Sequence, residues 1–346
     1  MAVKESTITD EYAAYCGDCV GVMEGLPVES IDLTLYSPPF AGLYQYSSDD
    51  QDMSNSIDKD EFFSHYGFAI EQIARITKPG RISAVHCMDI PLSNSGCDAM
   101  YDLPGRIILE HEARGFVYGG RRVIWKEPLM VRNRTMMKSL HHKTLCEDST
   151  RTSIANADYL LMFRRAGTNQ VPVSHDVGLM DYAGERQPPP ELDHYRGMEG
   201  DQKKNQYSQY IWRQYASSVW MDIRIDRVLT HRTAKDDEDE KHVHPLQLDV
   251  IDRAVVMWSN PGETVLTPFM GVGSEVYGAV VNGRRGVGIE LKPSYYAQAA
   301  KNLASAEQRK EQEAAQPTLF DDEPEEMDIS KHAEWGGGAV PVAKVQ

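Results

Sequence analysis

Seven short runs rich in β-branched and aromatic residues are spaced along this chain, with stretches of helical apolar period between them. The runs are Tyr12–Cys16, Ile31–Tyr36, Arg81–His86, Arg121–Trp125, Tyr159–Arg164, Thr264–Thr267 and Gly286–Glu290. The helical stretches are Asp60–Thr77, Pro104–Arg114, Pro245–Ser259, Gly273–Asn282 and Ser294–Leu303. Strands alternating with helices predict an α/β fold whose mostly parallel sheet is covered on both faces. The 41% apolar content is enough for the core such a sheet needs. No run of about 18 consecutive apolar residues occurs, so no spanning helix and no membrane partner is expected. Met1–Ser6 lacks the apolar stretch of a signal peptide, which predicts a cytoplasmic protein.

The 166–240 stretch breaks the alternation. It carries Gln187, three prolines at 188–190, many polar residues, and Trp212, Tyr215 and Trp220. It reads as an insertion between two halves of one domain, 10–165 and 241–303. From 304 to 346 the chain turns acidic, with Gly336, Gly337 and Gly338 near its end, as a flexible tail does. Five scattered cysteines fit reduced thiols better than a disulfide framework. Cys16 and Cys19 form a CxxC pair, but Cys87, Cys97 and Cys146 supply no second pair, so no metal is expected. His242 and His244 have HxH spacing without an evident third ligand.

A net charge of −16 argues against nucleic acid if taken globally. The distribution says otherwise. Between Arg121 and Arg165 ten Lys and Arg face four Asp and Glu, whereas 307–346 holds ten acids and four bases. The basic segment is the part suited to phosphate.

Two motifs carry chemistry. Ile31–Tyr36 leads into Ser37, Pro38, Pro39 and Phe40. In open α/β sheets, ligands sit at the C-terminal ends of the strands. There the Ser37 hydroxyl and Pro38 carbonyl can accept both hydrogens of a planar amine. The prolines hold the backbone rigid, and Phe40 can stack on the ring that bears the amine. The plainer reading is a Pro-Pro turn that ends a strand. The second motif is Thr267-Pro268-Phe269-Met270-Gly271-Val272-Gly273-Ser274, a strand, glycine turn and helix start, followed by a strand ending in Glu290. Glycines allow close approach, a helix N-terminus favours an anion, and a strand-end acid suits ribose hydroxyls. An ordinary βα unit would look similar.

Together these motifs resemble the DNA (N4-cytosine/N6-adenine) methyltransferase family in its β-group motif order, over roughly 12–165 and 241–303. More narrowly, Leu43-Tyr44-Gln45-Tyr46-Ser47 is similar to a run in phage and prophage methylases. The resemblance implies a Rossmann-like, S-adenosylmethionine-dependent fold with a seven-stranded, mostly parallel sheet and circularly permuted motifs. It implies methyl transfer to the exocyclic amine of a flipped base in double-stranded DNA. Asp18, His244, Pro245, Leu246, Thr267, Phe269, Gly271, Gly273, Ser274 and Glu290 fall on its cofactor positions. Thr267 replaces the family's usual Asp, Leu248-Asp249 replaces its Lys-Pro, and Phe40 its Tyr. Ser37 in place of Asp leans toward cytosine N4, with adenine N6 as the alternative. A non-catalytic DNA-binding or clamp-tethered regulator is the alternative of another class.

DNA contacts are expected from Arg121, Arg122, Lys126, Arg132, Arg134, Lys138, His141, His142 and Lys143, against a merely solvated surface. Base reading is expected from 166–240. In the tail, Gln316, Leu319 and Phe320 resemble a peptide that binds the bacterial sliding clamp.

Overall fold

The computed structural model describes residues 3–39, 59–92, 99–135, 137–197, 204–230 and 245–315. In chain order the strands are β1 (Glu5–Ile8), β2 (Tyr12–Cys16), β3 (Ile31–Tyr36), β4 (Thr77–Met88), β5 (Ile90–Leu92), β6 (Ala99–Tyr101), β7 (Phe116–Ile124), β8 (Asp158–Arg165), β9 (Val219–Trp220), β10 (Thr264–Thr267) and β11 (Arg285–Glu290). The helices are α1 (Cys19–Glu24), α2 (Lys59–Ile76), α3 (Leu103–Glu112), α4 (Pro128–Thr135), α5 (His142–Glu147), α6 (Gln206–Tyr215), α7 (Leu248–Trp258), α8 (Ser274–Val281) and α9 (Pro293–Ala315).

One sheet dominates, in the order β1-β2-β11-β10-β3-β4-β8-β7-β9, and β5 and β6 form a separate antiparallel pair. All seven expected strands lie side by side in it. Strands β2, β11, β10, β3 and β4 run parallel, and β8 is antiparallel to both β4 and β7. The expected count of seven needs correction: β1 adds to the edge at β2, and β9 adds to the edge at β7. Neither has an apolar run long enough to show in the sequence. Strand β3 is buried along its whole length, as a central strand covered on both faces must be.

Helices α1, α2 and α3 cover one face, where Met23, Phe62, Phe63, Tyr66, Ile70, Ile73 and Ile107 pack with Tyr36, Val85 and Leu161. Helix α7 covers the other face through Val250, Ile251, Ala254 and Val255 against Leu33, Leu35, Ala84 and Leu160. Helices α8 and α9 continue that layer over β2.

Two helix boundaries differ from expectation by more than two residues. Helix α7 starts at Leu248, not Pro245. Residue Gln247 is its extended cap, the Leu248 amide donates to the Arg227 carbonyl, and Asp249 is tied by Arg224 and Arg227. Tertiary ties thus outweigh proline's preference for a first turn. Helix α9 runs to Ala315, twelve residues beyond Leu303, so 304–315 is not a loose tail. Its composition of Ala, Glu, Gln, Lys and Arg favours helix. Ala306 is buried, and Lys310 pairs with Glu11.

The 166–230 part packs on α7. Leu179, Tyr182, Tyr207, Ile211 and Tyr215 form a small cluster that meets Val256 and Met257. Arg253 of α7 is wholly buried beneath it. It donates to the Ala183 carbonyl, to the Tyr182 hydroxyl and to Asp222 at 2.9 Å. The rings of Tyr182, Tyr215 and Trp220 lie 5.0–5.1 Å from its guanidinium.

Candidate active site

Strand β3 delivers Ser37, Pro38 and Pro39 to the C-terminal edge of the sheet, with Pro38 buried and Ser37 half-buried. Phe40 and the Leu43–Ser47 run lie outside the described residues. The neighbouring strand in the sheet is β10, with Val265 beside Leu33 and Leu266 beside Thr34. The two motifs are far apart in sequence, yet they leave the same edge from adjacent parallel strands about 4.8 Å apart. Their side chains meet as well: the Phe269 ring lies 5.7 Å from that of Tyr36, and also packs against Tyr66.

The glycine turn is braced by the next strand. The Met270 amide donates to the Ile289 carbonyl at 2.7 Å, and the Gly271 amide to Glu290 Oε2 at 2.7 Å. Glu290 Oε1 accepts from the Lys292 amide, and Gly17 after β2 donates to the Glu290 carbonyl. Asp18 caps α1 through the Gly21 amide at 2.8 Å. Both acids therefore stand at neighbouring strand ends on the same rim. Gly271 (φ 53°) and Gly273 (φ 92°) hold left-handed backbone, and open space surrounds Gly271 where a side chain would project.

This chemistry suits S-adenosylmethionine. The Thr267 and Ser274 hydroxyls are buried at the turn without a partner among the described residues. Buried hydroxyls ordinarily find one, and a polar ligand at the turn would supply it. Helix α8 begins at Ser274 with no side-chain cap on its N-terminus. Of the flanking segment, His244 lies outside the described residues, Pro245 is half-buried and Leu246 packs into the core beside α7.

Sequence reasoning missed two residues on the same rim. His86 closes the run on β4, and its Nδ1 lies 2.9 Å from Ser37 Oγ. Its Nε2 lies 2.9 Å from Oδ2 of Asp158, the first residue of β8. Lys126 Nζ sits 2.5 Å from the same oxygen. Burial pushes the Asp158 carboxyl up, but the Lys126 ammonium and His86 outweigh it and hold it at about 2. An imidazole ending a strand at the ligand edge is the signal that could have singled out His86. Asp158 lies on the antiparallel strand, and nothing in its sequence surroundings marks it.

The basic segment does not form the single face expected. Arg121 is exposed, with its guanidinium 5.2 Å from the Tyr159 ring. Arg122 is on the opposite face of β7, as strand alternation requires. It lies half-buried over Trp258 at 5.5 Å, and burial pulls its guanidinium down from its ordinary value. Lys126 is turned inward to Asp158. These two depart from the expected phosphate-facing set. Arg132 is half-buried with its guanidinium on Asn133, His141 is half-buried, and His142 and Lys143 are exposed. The side chains of Arg134 and Lys138 lie outside the described residues, as do Gln316, Leu319 and Phe320. Among the described residues no His, Cys, Asp and Glu cluster could hold a metal. Cys16 and Cys19 are buried thiols whose ionisation burial pushes up. Nor is any described helix long and apolar enough to cross a membrane.

Comparison with known proteins agrees with this geometry. A family profile described as DNA methylase matches residues 31–301. The chain is 22% identical over 303 residues to the DNA adenine methyltransferase YhdJ of Escherichia coli K12, covering 86% of this chain and 85% of that protein. It is 23% identical over 283 residues to the type II methyltransferase M.BglII of Bacillus subtilis, covering 81% and 66%. Among solved structures, the cytosine-N4-specific PvuII DNA methyltransferase superposes with a TM-score of 0.57 at 15% identity, over 89% of this chain and 96% of that one. A putative DNA modification methylase of Thermus thermophilus, solved with S-adenosyl-L-methionine, gives 0.56 at 19% identity, over 86% and 95%. The chain belongs to the DNA methylase family of N4- and N6-directed enzymes, and is an S-adenosylmethionine-dependent methyltransferase of a base amine in DNA.

Proposed function

We propose that the protein methylates N4 of cytosine, flipped out of duplex DNA, at a specific sequence. The observation that carries this reading is Ser37, in place of a carboxylate, beside the glycine turn on the adjacent strand. An exocyclic amine is a weak nucleophile because its lone pair is delocalised into the ring. Ser37 Oγ and the Pro38 carbonyl accept its two hydrogens and draw the nitrogen toward tetrahedral geometry. Phe40 stacks on the base, which offsets part of the few kcal/mol that flipping costs. Bound S-adenosylmethionine supplies a methyl group activated by its sulfonium. Asp18 and Glu290 hold its hydroxyls, Thr267 and Ser274 its polar groups, and the α8 N-terminus its carboxylate. Arg121, Arg132, His142 and Lys143 meet phosphate, and 166–240 reads the sequence.

Adenine N6 is the second reading, favoured by the likeness to the adenine enzyme YhdJ. Mass spectrometry of nucleosides from duplex DNA treated with the enzyme and S-adenosylmethionine tests both. N4-methylcytosine is expected. N6-methyladenine alone would overturn the choice of base, and no methylated nucleoside would overturn the whole reading.

Two further parts of the reading rest on sequence alone. The enzyme works in the cytoplasm of a bacterial or phage-infected cell, and its tail tethers it to the sliding clamp through Gln316, Leu319 and Phe320. Clamp-coated beads should retain the full chain and release a Leu319→Ala/Phe320→Ala variant. Equal retention would sink the tether.

A further inference from the structure

A chain of four side chains, buried at His86 and Asp158, runs from the catalytic ledge into the sheet, in the order Ser37, His86, Asp158, Lys126. We propose that the Asp158–His86 pair is a positioning device that makes Ser37 an obligate hydrogen-bond acceptor and gives the departing amine proton its exit. The proposal rests on the amine-methylation reading above.

The direction of each hydrogen bond follows from the carboxylate end. Asp158 is ionised and can only accept. The His86 Nε2 within 2.9 Å of it must therefore carry a hydrogen and donate. In a neutral imidazole that leaves Nδ1 as a bare lone pair. Nδ1 then accepts, and the Ser37 hydroxyl, 2.9 Å away, donates to it. A free serine hydroxyl can donate or accept and would as readily offer its hydrogen to the incoming nitrogen. Here that hydrogen is already committed, and the lone pairs of Oγ are left for the amine. Serine thereby acquires the one property that a carboxylate at this position has by nature.

The same chain handles the proton. When the amine lone pair forms its bond to the methyl carbon, the carbon–sulfur pair stays on sulfur, which becomes a neutral thioether. The nitrogen holds a positive charge until one N–H is lost. That proton passes to Ser37 Oγ as the hydroxyl hydrogen passes to His86 Nδ1. The result is a methylated neutral amine, an intact serine and an imidazolium paired with Asp158. The imidazolium then loses its proton to solvent. Asp158 suits this role because its second oxygen, Oδ1, is buried without a partner among the described residues, which leaves part of its charge for the imidazolium beside Lys126.

The test separates transfer from binding. Single-turnover methylation is measured for the wild type, His86→Ala, His86→Asn and Asp158→Asn, alongside affinities for S-adenosylmethionine and duplex DNA and thermal melting. His86→Ala should slow transfer about 10²-fold, in the range of a lost acid–base group, while both affinities move less than about threefold. His86→Asn keeps an acceptor for the Ser37 hydroxyl but no proton acceptor, and should fall between Ala and wild type. Asp158→Asn should also be slow, because its amide permits the opposite tautomer. A His86→Ala rate within about threefold of wild type would overturn the proposal. So would rate losses matched in every variant by lost binding or melting, which mark a merely structural role. His86→Asn at the wild-type rate would overturn the proton exit. These outcomes leave the enzyme's reading intact if the wild type still methylates an amine. A wild type that methylates no DNA overturns that reading and this one together.

Discussion

Glu275 shows how one position can set the pH range in which the fold is comfortable. It lies in the first turn of α8, where the helix dipole favours an acid by up to roughly 1 kcal/mol. It is nevertheless only 5% exposed, and burial pushes its carboxyl up to about 8 from 4.5. Desolvation wins over the dipole. Between these two values the folded chain keeps a proton that the unfolded chain gives up. The associated stability is therefore complete below about pH 4.5 and is lost as pH rises through about 8. Replacing the acid by Glu275→Gln should stabilise the protein at pH 9 by on the order of a few kcal/mol, with much less effect at pH 5. Urea denaturation at the two pH values measures this; equal effects at both would mean that the buried carboxyl is not protonated. His111 shows the opposite sign. Burial pulls it down to about 3, and it stays neutral, stacked on Phe163 at 4.1 Å with Tyr36 on its Nε2. Its stability contribution is present above pH 6.5 and is lost as pH falls toward 3.

At the scale of elements, β11 and α8 hold the glycine turn in place by direct contact. Gly288 on β11 leaves room for Met270 and Val276: a Cβ there would come within 2.3 Å of Met270 Sδ and 2.7 Å of Val276. Gly288→Ala must push the turn away from the strand. Overpacking of this kind costs about 1–3 kcal/mol. The expected outcome is a lower melting temperature together with weaker S-adenosylmethionine binding, read by calorimetry. Weaker binding at unchanged stability would show that the turn moves without resistance. Elements also explain what sequence patterning could reach. Seven strands stood out because their apolar runs feed a buried core. Strand β9, of two residues, and β1, a polar edge, carry too little pattern to be read. The onset of α7 was misplaced because Asp249 and the Arg227 carbonyl, not the local Pro245, decide where it begins.

At the scale of the molecule, the 166–230 part is fastened to α7 by its apolar cluster on Val256 and Met257, by Arg224 and Arg227 on Asp249, and by one wholly buried cation. Arg253 on α7 pairs with Asp222 while three aromatic rings surround it. Breaking a buried pair from one side leaves the other charge unmatched and costs about 3–5 kcal/mol. Arg253→Met should therefore lower the melting temperature strongly, and Asp222→Asn/Arg253→Met should recover part of the loss. If the double variant is no better than the single, the aromatic cage rather than the ion pair holds the segment. If this segment reads the bases, as proposed above, loosening it should impair DNA affinity before S-adenosylmethionine affinity.

Local chemistry alone determined the alternation of strands and helices, the serine–proline ledge, the glycine turn with its strand-end acid, and thereby the family and cofactor. Each depends on neighbours within a few residues, where backbone preference and side-chain type act directly. Only the tertiary structure decided that ledge and turn stand on adjacent strands, that Arg122 and Lys126 turn inward, and that His86 and Asp158 stand behind Ser37. Those outcomes depend on which strands become neighbours and on which charges burial forces to find a partner. Residues as far apart as Ser37, His86 and Asp158 have no local signal for that.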